Sequence, residues 1–327
     1  MKILGIETSC DETAIAVVED GKKILSNVVA SSLPLHTKTG GIIPETAARE
    51  QTKAFIPTLQ SALDIANLKV DQVDSVAVTA GPGLIGSLLV GVESAKTLSY
   101  FLDKPIVPVN HLIGHIYANW LEREKPPPFP NISLVVSGGH TELFLMRSHG
   151  KFQRLGGTRD DAAGEAFDKV GRLLGLPYPG GPSIQKAADS TKAADFNLPR
   201  PLSASGDFDF SFSGLKTATA NLVAQQKIKA RDIPALAASF QEAVVDSLVH
   251  KTLKATKKYG VKTMLLSGGV AANQRLRERL DDAFKSDFFV ASPALSVDNG
   301  AMIASTAFYN FRPVRWEKVV AAPGELL

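Results

Sequence analysis

The sequence predicts an α/β protein built of two mixed sheets, each covered by helices, and three observations carry that prediction. Two stretches far apart in the chain, ILGIETSCDETAIAVVED from Ile3 and ISLVVSGGHTELFLMRSHG from Ile132, share one design: an apolar strand, a tip of small or polar residues, and a returning apolar strand. Each is followed by apolar strands that run through a glycine turn into a helical pattern, as buried parallel strands with helical connections do. The length of 327 residues amounts to about two domains, each large enough to bury a core. Hairpins joined to βα units imply mixed sheets with helices on their faces.

After the first hairpin, residues 24–31 read as a third strand, and residues 47–66 carry apolar positions at helical spacing. Residues 73–79 form a buried strand that runs into Gly81-Pro82-Gly83 and a small-residue helix over 87–102; a strand follows at 106–109. The clearest linker is KPPPFP at 125–130, because consecutive prolines favour stiff, extended backbone. The second half repeats the scheme, with helices at 163–174 and 235–256, a strand at 263–266, the turn Ser267-Gly268-Gly269 and a helix at 273–284. Residues 189–210, rich in Ser, Asp and Pro, read as a surface excursion.

Composition removes several classes. With 44% apolar and 21% charged residues the chain is neither disordered nor a membrane bundle. Its longest apolar-looking stretch, 84–92, is broken by Gly86, Ser87 and Gly91, and falls far short of the roughly 20 residues a membrane span needs. Glu7 stands where a secretory leader needs its apolar run, so a cytoplasmic protein is expected. The single cysteine, Cys10, excludes an internal disulfide and any zinc ribbon or iron–sulfur cluster built by this chain alone, and points to a reducing compartment. The 36 Lys+Arg exceed the 33 Asp+Glu by only three, so an RNA partner would need a local patch or a helper subunit.

His111 and His115 open a helical segment after the strand PIVPVN, at the i, i+4 spacing that lets two imidazoles reach one metal ion. The alternative is a capping histidine plus a surface one. The spacing also occurs in HExxH zinc proteases, but Leu112 occupies the position of their catalytic glutamate and cannot accept a proton. Two glycine turns, Ser137-Gly138-Gly139-His140 and Ser267-Gly268-Gly269, follow strands; glycines let backbone N–H groups approach a phosphate or a sugar, or simply make turns. The absence of GxxxxGK[ST] and GxGxxG leaves P-loop and dinucleotide readings without support. Asp11 and Glu12 sit at the first hairpin tip, where carboxylates could hold substrate or metal-bound water, or be solvated turn residues. Asp161, Glu165 and Asp168 share one helical face with no basic residue among them, which favours a ligand-facing role. Asp298 precedes a helical run and reads as an N-cap or as a third metal ligand. The basic clusters Lys251, Lys254, Lys257, Lys258 and Arg275, Arg277, Arg279 read as solvated helix faces, with an RNA-backbone contact the lesser alternative.

Nine blocks then appear in one order: GIETSCDETAIAVV, GGIIPETAAREQ, TAGPGLIGSLLVG, NHLIGHIYAN, LVVSGGHTEL, DDAAGEAFDKVGRLLGLPYPGGP, FSFSGLKTA, SGGVAANQRLR and DNGAMIA. In these the chain resembles, over essentially its whole length, the TsaD family (Kae/Qri/YgjD), in a bacterial form because His140 stands where archaeal and eukaryotic relatives typically carry Asn. The resemblance implies a two-lobed actin/Hsp70/sugar-kinase-like fold: an N-terminal lobe over 1–110, with a C-terminal helix over 300–327 packing back on it, a C-terminal lobe over 111–299, and a ligand cleft between them. It implies transfer of a threonylcarbamoyl group from threonylcarbamoyl-AMP to the exocyclic amine of the adenosine just 3′ of the anticodon in tRNAs reading ANN codons. It further implies one iron or zinc ion held by His111, His115 and Asp298, with Ser137 a further contact to metal or ligand. Contacts to an adenine nucleotide (the adenylate, ATP or AMP) carry over to Val136, Ser137, Gly138, Gly139, His140, Asp168, Gly181 and Asn273. Asp11 or Glu12 is expected to orient the adenosine or accept its proton. The partners implied are the paralogue TsaB, the ATPase TsaE, and TsaC as supplier of the adenylate. The rival readings are a sialoglycoprotein-type zinc endopeptidase, weakened by Leu112, and a nucleotide-dependent scaffold, weakened by a hairpin tip that carries Asp11 and Glu12 and no basic residue.

Overall fold

The computed structural model describes residues 1–191, 195–225 and 228–324. Its contacts divide the chain into two units, Met1–Pro127 with Ala294–Leu327, and Pro128–Pro293. The boundaries expected at 110 and 299 therefore move. The first crossing falls inside the proline linker, so the two histidines belong to the first unit, and the chain returns to that unit before Asp298.

In the first unit, β1 (Lys2–Glu7), β2 (Glu12–Glu19) and β3 (Lys23–Ser31) form an antiparallel meander. Helices α1 (Leu33–Thr39) and α2 (Pro44–Ala66) lead to β4 (Ser75–Gly81), and α3 (Ile85–Leu102) leads to β5 (Ile106–Asn110) and α4 (His111–Tyr117). The order β3-β2-β1-β4-β5 has β4 parallel to both neighbours, and its sequence SVAVTAG is buried at every position.

The second unit holds β6 (Asn131–Val136), β7 (Thr141–Ser148), β8 (Lys151–Gly157), α5 (Ala163–Leu173), α6 (Gly180–Asp189), α7 (Ser213–Gln225), α8 (Ile233–Tyr259), β9 (Thr263–Ser267), α9 (Gln274–Ala283) and β10 (Asp287–Val290). Its sheet order, β8-β7-β6-β9-β10, repeats the first: an antiparallel meander, then two parallel strands. Thus the repeat legible in the two hairpins extends to both whole sheets. The excursion read over 189–210 includes residues 192–194, which lie outside the described residues.

The chain closes through α10 (Pro293–Ser296) and α11 (Gly300–Tyr309). The expected C-terminal helix ends at Tyr309; beyond it Val314 bridges Ile106, and residues 325–327 lie outside the described residues. Small residues let α11 lie directly on β1. A Cβ at Gly5 would stand 2.1 Å from the Gly300 carbonyl oxygen, and one at Gly300 2.6 Å from the Ala16 nitrogen. Because backbone cannot yield as a flexible side chain does, Gly5→Ala is expected to destabilise the protein by about 3 kcal/mol or more. A denaturation midpoint within error of wild type would contradict this.

The basic clusters are only partly solvated faces: Lys257 and Lys258 are exposed, but the other five cations have partners within the protein. Lys251 is 2% exposed and donates to Ser205 Oγ (2.5 Å) and to the Asp207 carboxylate (3.2 Å). Lys254 donates to the Ser205 carbonyl (2.7 Å). Arg275 and Arg279 grip Glu242, Arg279 also reaches Asp246, and Arg277 donates to the Ala271 carbonyl. These cations tie α8 and α9 to their surroundings.

Candidate functional site

Asn110, the last residue of β5, caps α4: its Oδ1 accepts the N–H groups of Leu112 (2.9 Å) and Ile113 (3.3 Å). The capping role proposed for His111 thus belongs to Asn110, and His115, fully buried, is no surface residue. The two rings stand 4.7 Å apart. Asp298 arrives from the segment between α10 and α11, with Asn299 capping α11 through Met302 N–H (3.0 Å), so Asp298 is not the cap. Its Oδ1 lies 3.2 Å from His115 Nε2 and 3.7 Å from His111 Nε2. Two ligands of a tetrahedral metal bound at about 2.0–2.1 Å would stand roughly 3.3 Å apart, so the spacing fits.

His115 strengthens the fit. Neither of its ring nitrogens has a hydrogen-bond partner, although the side chain is fully buried. Orphaned buried polar atoms are costly, and a metal ion on Nε2 would satisfy one of them. Together His111, His115 and Asp298 place one ligand atom each within 4.8 Å of one another.

Burial opposes a charge on His111, but the carboxylates of Glu7 and Asp298 and a hydrogen bond to Glu7 outweigh it and lift its pKa to about 9. Glu7 went unrecognised in the sequence because it reads as the end of an apolar strand. Its Oε2 lies 3.0 Å from His111 Nδ1.

The tip between β1 and β2 is held from behind. Gln51 on α2 donates to the carbonyls of Cys10 (3.1 Å) and Glu12 (2.9 Å), and Ser87 on α3 donates to that of Cys10 (2.8 Å). Burial first, then the Asp298 charge, raises the Asp11 carboxyl above its usual range. Burial lifts Glu12 to about 7, although Ser31 Oγ donates to its Oε1 (2.8 Å); its Oε2 is buried without a partner. Burial, with Asp11 next, pushes the Cys10 thiol well up, so it stays protonated and unreactive near neutral pH.

The second unit carries a pocket of about 410 Å³, in the range of small-molecule sites. Gly138, Asp168, Gly181 and Asn273 line it, as do Phe167 and Gln185, which carried no signal in the sequence. Residues from the first turns of α5 and α6, and the Asn273 cap of α9, meet at its wall, so three helix N-termini supply positive potential for an anion. At Gly138, Gly181 and Gly269 an added Cβ would meet nothing within 4 Å. These glycines are not demanded by packing; they keep the pocket open. Asp168 accepts the Gly180 N–H (2.7 Å), and burial raises its carboxyl.

The remaining expected residues stand elsewhere. The Val136 side chain is buried in the core, and Ser137 and His140 close their own turn: Ser137 N–H donates to the His140 carbonyl (2.8 Å), and His140 N–H to Ser137 Oγ (3.2 Å). Along with Gly139, they are not among the pocket's lining. The acidic stripe is neutralised by one cation on its own face and one from another helix: Lys169, four residues after Glu165, pairs with Glu165 (2.7 Å) and Asp161 (2.9 Å), and Lys216 on α7 pairs with Asp161 (2.6 Å). Of the three, only Asp168 borders the pocket.

Residues 23–305 match the TsaD family, tRNA N6-adenosine threonylcarbamoyltransferase. The chain belongs to the TsaD family. Relatives named tRNA N6-adenosine threonylcarbamoyltransferase include those of Thermomicrobium roseum, 50% identical over 94% of this chain and 92% of its own, and Kosmotoga olearia, 52% identical over 94% and 93%. Among solved structures, HypF of T. kodakarensis superposes with a TM-score of 0.63 at 14% identity, over 94% of this chain and 48% of its own. Component A of the Acidaminococcus fermentans (R)-2-hydroxyglutaryl-CoA dehydratase gives 0.57 at 14% identity, over 95% and 98%. At such identity these two report the fold alone, which is of the actin/Hsp70/sugar-kinase type. Within the TsaD chain, the expected metal ligands converge in the first unit, and four of the expected nucleotide contacts line one pocket in the second.

Proposed function

We infer that this TsaD-family chain transfers a threonylcarbamoyl group from threonylcarbamoyl-AMP to the N6 amine of adenosine in tRNA, releasing AMP. The observation that carries the reading is the family match over residues 23–305, with relatives of that name at about half identity. The amine attacks the carbamoyl carbon, the bond to the phosphate oxygen breaks, and the proton lost by the amine must be taken up. Glu12, with a pKa near 7 and one unpartnered oxygen, suits that uptake, and Asp11 beside it suits orientation of the adenosine. His111, His115 and Asp298 would hold iron or zinc, which when bound supplies a Lewis acid for an acyl oxygen. The pocket in the second unit suits the nucleotide, since residues from three helix N-termini line it and such termini favour a phosphate.

The endopeptidase reading fails for want of a base at Leu112, which is fully buried and apolar. The tRNA is held with help, since Lys251, Arg275 and Arg279 of the basic clusters are spent on internal ion pairs. Exposed apolar residues on neighbouring helices, Ile56 on α2 and Ile85 and Leu89 on α3, support docking of a helical partner, for which the paralogue TsaB is the proposal, with TsaE and TsaC acting alongside. No helix among the described residues is long and apolar enough to cross a membrane, and the cytoplasm is the proposed location.

Combining the chain with TsaB, TsaE, TsaC, unmodified tRNA, threonine, bicarbonate and ATP is expected to give threonylcarbamoyladenosine in digested tRNA. Failure with pre-formed adenylate, when a homologous TsaD succeeds, would overturn the reading. Gly181→Ala tests the pocket separately. Alanine in the first turn of α6 is expected to raise stability by up to about 1 kcal/mol, while its methyl group intrudes on the ligand and weakens AMP binding about tenfold or more. Unchanged AMP affinity by calorimetry would place the nucleotide elsewhere.

A further inference from the structure

Glu7 closes an apolar strand, KILGIE, yet its side chain is fully buried. An acid at such a place is tolerated only when its oxygens are fully engaged. Oε1 accepts the N–H of Ser9 (2.6 Å), and Oε2 accepts the hydroxyl of Thr79 (2.5 Å), brought alongside by the parallel pairing of β1 with β4. The third contact is His111 Nδ1, 3.0 Å from Oε2. With Glu7 as the carboxylate, an acceptor only, the proton in that contact belongs to the imidazole. Ser9 Oγ, 3.2 Å from the same nitrogen, is a second acceptor for it. Nε2 is thereby turned toward Asp298. His115 has no comparable support, since its Nδ1 is unpartnered.

We propose that Glu7 is the positioning residue of the metal centre: through Nδ1–H it fixes the tautomer and the plane of His111, so that Nε2 is the ligating atom. The inference rests on the reading of His111, His115 and Asp298 as a metal site. An acidic partner on the far nitrogen both orients a ligating imidazole and makes it a better donor, and such partners typically change metal affinity by about 10- to 100-fold. Glu7→Gln keeps the shape but replaces one acceptor oxygen with an NH2 group. If that group faces His111 it donates to Nδ1, moves the ring proton to Nε2, and blocks ligation.

The test uses the full chain with Zn2+ as probe. In wild type loaded with Zn2+, 15N-detected imidazole spectra are expected to show His111 protonated at Nδ1 and ligating through Nε2. Glu7→Gln is expected to bind Zn2+ about 10- to 100-fold more weakly and to lose that signature. Glu7→Asp, which retains the carboxylate, is expected to keep the Nδ1–H signature with a smaller loss. Thr79→Val disturbs the same buried cluster but leaves the carboxylate, and is expected to preserve the tautomer and stay within a few-fold of wild-type affinity. A wild-type spectrum with Nδ1 unprotonated overturns the proposal even if no variant folds, as does Zn2+ affinity in Glu7→Gln equal to wild type. Failure of wild type to bind Zn2+ overturns the metal reading itself, and this inference with it.

Discussion

His115→Ala is expected to abolish metal binding and, with it, transfer to tRNA. A partner that only supports a ligating histidine is worth about 10- to 100-fold in affinity, so loss of a ligand itself should exceed 100-fold. His115 offers Nε2 3.2 Å from Asp298, and no hydrogen bond within the protein competes for it. Stability supplies a readout independent of activity. Zn2+ at a hundred times its dissociation constant is expected to stabilise wild type by about 2.7 kcal/mol and the variant by nothing measurable. Equal Zn2+ stabilisation of both proteins would remove His115 from the centre.

Glu12→Gln is expected to slow transfer from pre-formed adenylate by about 100- to 10,000-fold, the usual contribution of a positioned general base. In wild type the rate should rise with pH through a midpoint near 7, where Glu12 loses its proton; in the variant that limb disappears. Stability should move the other way. The pKa of Glu12 is raised in the folded state, so folding favours the protonated form, and stability declines as pH rises from about 4.5 to about 7 and is level above that. Glutamine does not titrate, so the variant should be more stable than wild type at pH 7.5, by about 1–3 kcal/mol, and the difference should shrink toward pH 4. An unchanged transfer rate would assign proton uptake elsewhere, Asp11 being the first alternative.

A fold legible in advance was one whose signals are local. The two hairpins, the buried strand of β4 and the small-residue pattern of α3 encode burial and period within their own lengths, and their boundaries came within about two residues of those observed. Elements without a clear period, such as α6 with its PGGP start, and α7, were not anticipated. The His111/His115 pair was legible because a single helix sets its spacing. The acidic stripe misled for a matching reason. Its like charges were read without Lys169, which sits one turn on from Glu165 and pairs with it, while the second cation, Lys216, which pairs with Asp161 at 2.6 Å, is 55 residues away in sequence.

By itself the sequence determined the family, the repeated hairpin-plus-βα plan, and two histidines on one helix turn with no protease base between them. Tertiary structure alone decided which polar groups meet. It set Glu7 against His111 Nδ1 across 104 positions, brought Asp298 to the Nε2 atoms of both histidines, left His115 without a hydrogen bond, and separated the glycines that keep a pocket open from those, such as Gly5, that let backbone touch backbone. The physical reason is that periodicity reports whether a residue is buried, whereas the partner of a buried polar group depends on the register and packing of segments far apart in the chain.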